Sequence, residues 1–206
     1  MARPSLTPPP EGLLPVQSKP GRFATFSSLR DHPNFRLYWI GACLSNVGTW
    51  MQNVAQGWLV YQLTGSALLL GVVTFTGTIP ILFLCLFGGA LADRVDRRWL
   101  MISTQTGMMV LAFTLTGLTF AGIVTVWHIM VIAFLNGICN AFNIPVRQSI
   151  VVDLVPRKDL QNALALNSAQ FQTSRLFGPA LAGGVLALAG PGWCFLINGV
   201  SFLTVI

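Results

Sequence analysis

Gly89-Ala90-Leu91-Ala92-Asp93-Arg94-Val95-Asp96-Arg97-Arg98 holds five of the chain's eighteen formally charged side chains in ten positions. Apolar runs of membrane length flank it, 67–92 before and 99–121 after. A charged knot between two such runs reads as a short loop held against one side of a bilayer. The rest of the chain is placed relative to that loop.

The 206 residues are 53% hydrophobic and only 9% charged, with mean hydropathy +0.67. Soluble domains carry roughly 25% charged residues. A deficit this large requires a surface that meets lipid or other apolar helices. The net charge of +6 comes from basic residues in short patches between apolar runs, so topology explains it better than a nucleic-acid partner. Cys43, Cys85, Cys139 and Cys194 are far apart, without metal-ligand spacing, and read as packing residues. His32 and His128 are isolated and flank helices, where interfacial placement suffices. No phosphate-binding glycine loop, metal cluster or nucleophile–base pair is visible. No metal, cofactor or enzymatic activity is expected.

Residues 1–34 read as a disordered, proline-rich tail that includes Thr7-Pro8-Pro9-Pro10. Residues 35–206 read as a transmembrane bundle. Its spans are expected at 37–63, 67–92, 99–121, 126–144, 163–189 and 193–206. Thr64-Gly65-Ser66 makes the first turn, with Ser66 as N-cap of the second span. Pro80 lies inside that span, and Pro145 closes the fourth. Part of the charged segment 147–159 is expected to form a short surface helix. Fourteen residues are too few for the sixth span to cross a typical core.

Basic residues fix the orientation. The connections at 64–66, 122–125 and 190–192 contain none, whereas residues 1–36, the 93–98 loop and the 147–159 segment contain eleven of the twelve. The positive-inside rule puts those three in the cytoplasm, together with the N-terminus of a multi-pass cell-membrane protein.

Polar side chains inside spans are costly and point to function. Ser45, Asn46, Thr49, Gln52, Asn53 and Gln56 fall within one arc of the first span, bordered by Trp50. The stripe suits either helix–helix hydrogen bonding or the wall of a water-filled substrate cavity. Asn136, Asn140, Asn143 and Arg147 follow spacings of four, three and four on one face, with the same two readings. Asn167, Gln170, Ser174 and Arg175 precede Gly178-Pro179-Ala180-Leu181-Ala182-Gly183-Gly184. Arg175 is too deep for easy snorkelling and suits a coupling role or a structural charge pair. Gly178, Pro179, Gly183 and Gly184 make a thin, bendable segment that a neighbouring helix can approach. No Asp or Glu lies inside a predicted span.

The 89–98 stretch resembles the loop motif Gly-x-Leu-Ala-Asp-Arg-x-x-Arg-Arg/Lys of the major facilitator superfamily, which joins its second and third helices. Gly89, Leu91, Ala92, Asp93, Arg94, Arg97 and Arg98 match it. The 178–183 stretch resembles the fifth-helix Gly-Pro-x-x-Gly-Gly motif of antiporters, with Ala182 in place of one glycine. Leu63-Thr64-Gly65-Ser66-Ala67, Leu154-Val155-Pro156-Arg157, Asn162-Ala163-Leu164-Ala165-Leu166-Asn167 and Arg175-Leu176-Phe177-Gly178-Pro179-Ala180 look like the enterobactin-exporter-like branch, the transmembrane secretion effectors. In one departure, the fourth-helix arginine of many drug:proton antiporters falls at Ala133, with Asn136-Gly137 in its Gln-Gly place.

The resemblance implies an all-α fold of two six-helix bundles that rock around a central cavity. The first and fourth helices line the cavity, and each bundle contains inverted three-helix repeats. The chain supplies the first bundle, with its sixth helix incomplete. A C-terminal six-helix half is the expected partner, along with membrane lipid and a small-molecule substrate. The implied activity is export of a small amphipathic molecule, such as a siderophore or drug, with proton coupling. The alternative is a truncated or partner-dependent membrane protein without transport of its own. Gly89, Asp93, Arg94, Arg97 and Arg98 are expected to form a conformational latch, with Asp93 near a helix start and within reach of Arg94 or Arg97.

Overall fold

The computed structural model describes residues 27–92 and 95–206. Among these are seven helices: α1 (Ser27–Asp31), α2 (Pro33–Thr64), α3 (Ala67–Ala92), α4 (Arg97–Phe120), α5 (Val126–Leu154), α6 (Leu160–Ala189) and α7 (Pro191–Phe202). The protein is an all-α membrane bundle. Helices α3, α4 and α5 are each long and apolar enough to cross a bilayer. α2 and α6 are longer than a span needs, at 32 and 30 residues, but carry the polar stripes, which lowers their apolarity. α7 has 12 residues. The outward faces are apolar: Leu86 and Leu188 are 84% and 91% exposed, a surface that calls for lipid or protein cover.

Local chemistry sets the helix ends. Gly65 adopts the left-handed conformation (φ 62°), and its N–H donates to the Tyr61 carbonyl at 2.8 Å, which ends α2. Ser66 Oγ accepts from the Leu69 N–H at 3.4 Å, as an N-cap does. Asp96 caps α4, its carboxylate accepting from Arg98 N–H at 2.8 Å and Trp99 N–H at 3.4 Å. His128 has a capping role: its Nδ1 accepts from the Thr125 N–H at 3.2 Å, which closes a capping box on α5.

Two expectations are corrected. Residues 27–34 are not tail: α1 forms there, and Pro33 starts α2 at a position where its missing N–H has no partner to lose. Leu29 and Phe35 pack with Val151, Val155, Ala163 and Leu166, which anchors this entry to the bundle. His32 Nε2 lies 3.2 Å from Asp159 Oδ2 at the start of α6. Residues 1–26 lie outside the described residues. Pro145 does not close the fourth span either: α5 runs through it to Leu154. The proline frees only the carbonyl four residues earlier, a loss that membrane helices tolerate. Residues 147–154 are therefore the last two turns of α5, and no separate surface helix forms from them.

The packing has the symmetry of an inverted repeat. α3 packs on α5 as α6 packs on α2; α7 packs on α2 as α4 packs on α5; α4 and α7 meet each other. Exchanging α2–α4 with α5–α7 maps the first two pairs of contacts onto each other and the α4–α7 contact onto itself. The two strongest crossings rest on glycine. A Cβ on Gly137 of α5 would collide with the Gly77 carbonyl oxygen of α3 and come within 3.1 Å of Pro80 Cγ. A Cβ on Gly178 of α6 would collide with Trp50 Cβ of α2 and lie 3.1 Å from the Val47 carbonyl oxygen. Gly183 and Gly184 were expected to admit a neighbour as well, but no atom lies within 4 Å of a Cβ built on either. Both face outward on α6.

Gly178→Ala and Gly137→Ala are each expected to destabilise the bundle by about 1–3 kcal/mol, the usual cost of overpacking. Gly184→Ala should be close to neutral. Thermal unfolding of the purified protein in detergent checks this contrast, and an equal loss in all three variants would refute the assignment of the crossings.

Candidate functional site

The polar arc of α2 divides into three zones. At one edge Gln52 is buried, and its Oε1 accepts from Asn198 Nδ2 of α7 at 2.7 Å. Gly48 makes room there, since a Cβ on it would meet Ser201 Oγ at 2.6 Å and Asn198 Oδ1 at 2.7 Å. At the other edge Asn46 Oδ1 accepts from Arg147 Nη1 of α5 at 2.8 Å. Between them lie Thr49 and Gln56, half-buried, and Asn53, exposed. Thr49 Oγ1 donates back to the Ser45 carbonyl at 2.9 Å, as hydroxyls do on a helix with no better partner. The helix–helix reading of the stripe therefore holds at Asn46 and Gln52. Asn46 and Gln52 hold helices together, while Thr49, Asn53 and Gln56 are left towards an open side.

The α5 row divides likewise. Asn143 is buried and its Oδ1 takes a 3.4 Å hydrogen bond from Thr104 Oγ1 of α4. Asn140 Nδ2 donates to the Asn136 carbonyl of its own helix at 3.1 Å, and both residues are half-buried. Arg147 belongs to the same helix because α5 continues past Pro145, and that continuity brings it to α2.

On α6, Phe171, Arg175 and Gly178 recur one turn apart and surround Trp50 of α2. The Arg175 guanidinium carbon sits 5.6 Å from the Trp50 ring centroid. Phe171 meets Trp50 edge-on, with centroids 6.0 Å apart and planes at 66°. The structural charge pair considered for Arg175 is absent: among the described residues it stacks on an aromatic face and meets no carboxylate. One face over, Gln170 and Ser174 are buried with side-chain polar atoms that have no protein partner.

At the charged end, Asp93 and Arg94 lie outside the described residues. Among the described residues, no atom lies within 4 Å of a Cβ built on Gly89. Arg97 pairs with Asp153 at the end of α5: its Nη1 donates to both carboxylate oxygens at 2.8 Å. Arg98 is exposed and gives its backbone N–H to Asp96. The sequence reading missed Asp153, Asn198, Thr104 and Phe171. A signal for Asp153 did exist. The start of α4 and the end of α5 share the basic side of the bundle, where an acidic side chain finds arginine.

A family profile described as transmembrane secretion effector matches residues 23–206. The chain is 30% identical over 157 residues to the staphyloferrin A transporter of Staphylococcus aureus, covering 76% of this chain and 40% of that protein. It is 27% identical over 151 residues to macrolide efflux protein A of Streptococcus pyogenes, covering 72% and 36%. It is 32% identical over 127 residues to a putative multidrug resistance protein of Yersinia enterocolitica, covering 62% and 26%. The chain thus spans well under half the length of these curated relatives.

The division of the α2 stripe is testable through stability alone. Gln52→Ala should cost about 0.6–1.7 kcal/mol, the range for interhelical hydrogen bonds in membranes. Asn53→Ala, which removes no hydrogen bond among the described residues, should leave the unfolding temperature within error. A larger loss from Asn53→Ala than from Gln52→Ala would reverse the assignment.

Proposed function

The chain belongs to the transmembrane secretion effector family of the major facilitator superfamily, and from that premise we propose that it forms the N-terminal half of a secondary active efflux transporter. The cargo is a small amphipathic molecule, such as a siderophore or drug, moved by alternating access against a C-terminal six-helix half. One observation carries the reading. Among the described residues Asn53 and Gln56 have no hydrogen-bond partner along the middle of a membrane helix, beside Thr49, whose hydroxyl bonds only within α2. Uncompensated polar groups at that depth belong against water or a polar ligand and not against hydrocarbon. A cavity between two halves supplies that environment.

The N-terminus and the Arg97–Asp153 end face the cytoplasm in this proposal, because the basic residues gather there. The cargo crosses a cell membrane, and exchange for protons drives it. The described helices bring guanidiniums but no carboxylate towards the open side, so the titrating group is assigned to residues beyond them. The 89–98 loop together with Asp153 acts as the cytoplasmic latch, closed in one state and released in the other. Asp93 and Arg94 belong to it by their place in the motif. Gly183 and Gly184, free of neighbours in this bundle, are assigned to contact with the other half.

The test is gradient-driven movement in inverted membrane vesicles, using protein expressed from its whole reading frame and a panel of amphipathic dyes. Accumulation that depends on a proton gradient and collapses with an uncoupler is expected. Movement only in the uptake direction, or none across the panel, would overturn the proposal. The Arg97–Asp153 pair is exposed enough to contribute less than about 1 kcal/mol to stability. Asp153→Asn should therefore slow transport severalfold at unchanged unfolding temperature. Exchanging the charges, Arg97→Asp with Asp153→Arg, should recover much of the rate. A swap as slow as the single variants would argue against a latch.

A further inference from the structure

Two guanidiniums reach one stretch of α2 from different helices. Arg147 of α5 donates to Asn46, and Arg175 of α6 lies over Trp50. Asn46 and Trp50 are one turn apart on the same face, so the two contacts are separated by about 6 Å along the helix axis. Neither partner carries charge: one is an amide and the other an indole.

The described carboxylates are all accounted for elsewhere. Asp31 closes α1, Asp96 caps α4, Asp153 takes Arg97, and Asp159 faces His32. All four lie at helix ends. Arg147 and Arg175 therefore bring two like charges to successive turns of α2 with no counter-charge from the described residues. Removing even one ion from water costs several kcal/mol unless an opposite charge meets it. Arg175 lies midway along α6 and is exposed on the bundle, while Arg147 is half-buried.

We infer that the missing counter-charge is the cargo: a small anion with two or more carboxylates on a flat, apolar body, bound between Arg147 and Arg175 against Trp50 and Phe171. The planar guanidinium fork matches a carboxylate, and two forks match two. Phe171 is 46% exposed and stands edge-on to Trp50, so together they present an apolar wall beside the charges. A cationic molecule of the same size meets two like charges and is excluded by repulsion, which makes the pair a selectivity device as well as an anchor. The inference deepens the efflux reading, and rests on it for the role of cargo but not for binding.

The experiment uses the protein from its whole reading frame, purified in detergent, with two aromatic probes of opposite charge. Carboxyfluorescein carries the carboxylates, and ethidium is the cation; fluorescence anisotropy reads binding of each. Saturable binding of carboxyfluorescein is expected. It should weaken about tenfold in Arg147→Gln and again in Arg175→Gln, the loss usual for one charge-assisted contact. Arg175→Lys, which keeps the charge and loses the fork, should fall between wild type and Arg175→Gln. Unfolding temperatures of all variants separate loss of the site from loss of the fold. No binding to the wild type, as when a carboxylate of the C-terminal half fills the site, would overturn the inference. So would binding that survives in the double variant. Carboxyfluorescein binding without gradient-driven movement counts against the efflux reading and leaves the anion site standing. Gradient-driven movement of ethidium without carboxyfluorescein binding does the reverse.

Discussion

The crossing of α6 over α2 at Gly178 is the contact on which the site depends. Lipid tails are as apolar as leucine, so membrane helices gain little by hiding apolar faces from one another. They associate through close packing and internal hydrogen bonds. At Gly178 the absent side chain lets the backbone of α6 approach Val47 and the root of Trp50. That approach sets the Trp50 ring beside Phe171 and under Arg175. Trp39 Nε1 donates to the Leu166 carbonyl at 3.1 Å, three turns earlier on α6, and fixes the register of the same pair. A bulkier residue at 178 would lift α6 away and separate Arg175 from Trp50.

The equivalent crossing, Gly137 on Gly77, does the same for α5 and α3. It fixes the helix that carries Asn143 to α4 and Arg147 to α2. The two crossings are related by the exchange that maps α2–α4 onto α5–α7. The bundle therefore builds its polar face from two copies of one device. A glycine brings two helices together, and polar side chains beside it either lock a neighbour or remain open. Gln52 and Asn143 lock, while Asn53 and Gln56 remain open.

Much of this was legible in the sequence, because membrane helices announce themselves by length and charge. The Ser66 cap and the turns at 64–66 and 122–125 follow from local rules that tertiary packing does not override. The end of α5 was misread because proline stops helices in water but not reliably in lipid, where no solvent competes for the freed carbonyl. That error hid the Arg97–Asp153 pair, since Asp153 falls in the segment read as a charged connection with a short surface helix. The stripe on α2 was visible as a stripe, but its division was not. Which asparagine or glutamine finds a partner depends on what α5 and α7 present, and a single helix cannot show that. The stacking of Arg175 was likewise illegible, because residues 50 and 175 meet only through the geometry of the crossing.

The continuity of α5 through Pro145 has a mechanical consequence. From Gly137 to Asp153 the helix extends roughly 24 Å, at 1.5 Å per residue. Were α5 to pivot at the Gly137 crossing, that crossing would be the fulcrum and the residues beyond it the arm. A tilt of about 5° at that fulcrum sweeps the far end through roughly 2 Å over that length. Such a sweep is enough to part an ion pair held at 2.8 Å. It moves Arg147, closer to the fulcrum, by little more than half as much. Under the proposed latch, the same arm would gear a small rotation into a break at the charged end, without any change in the fold of either.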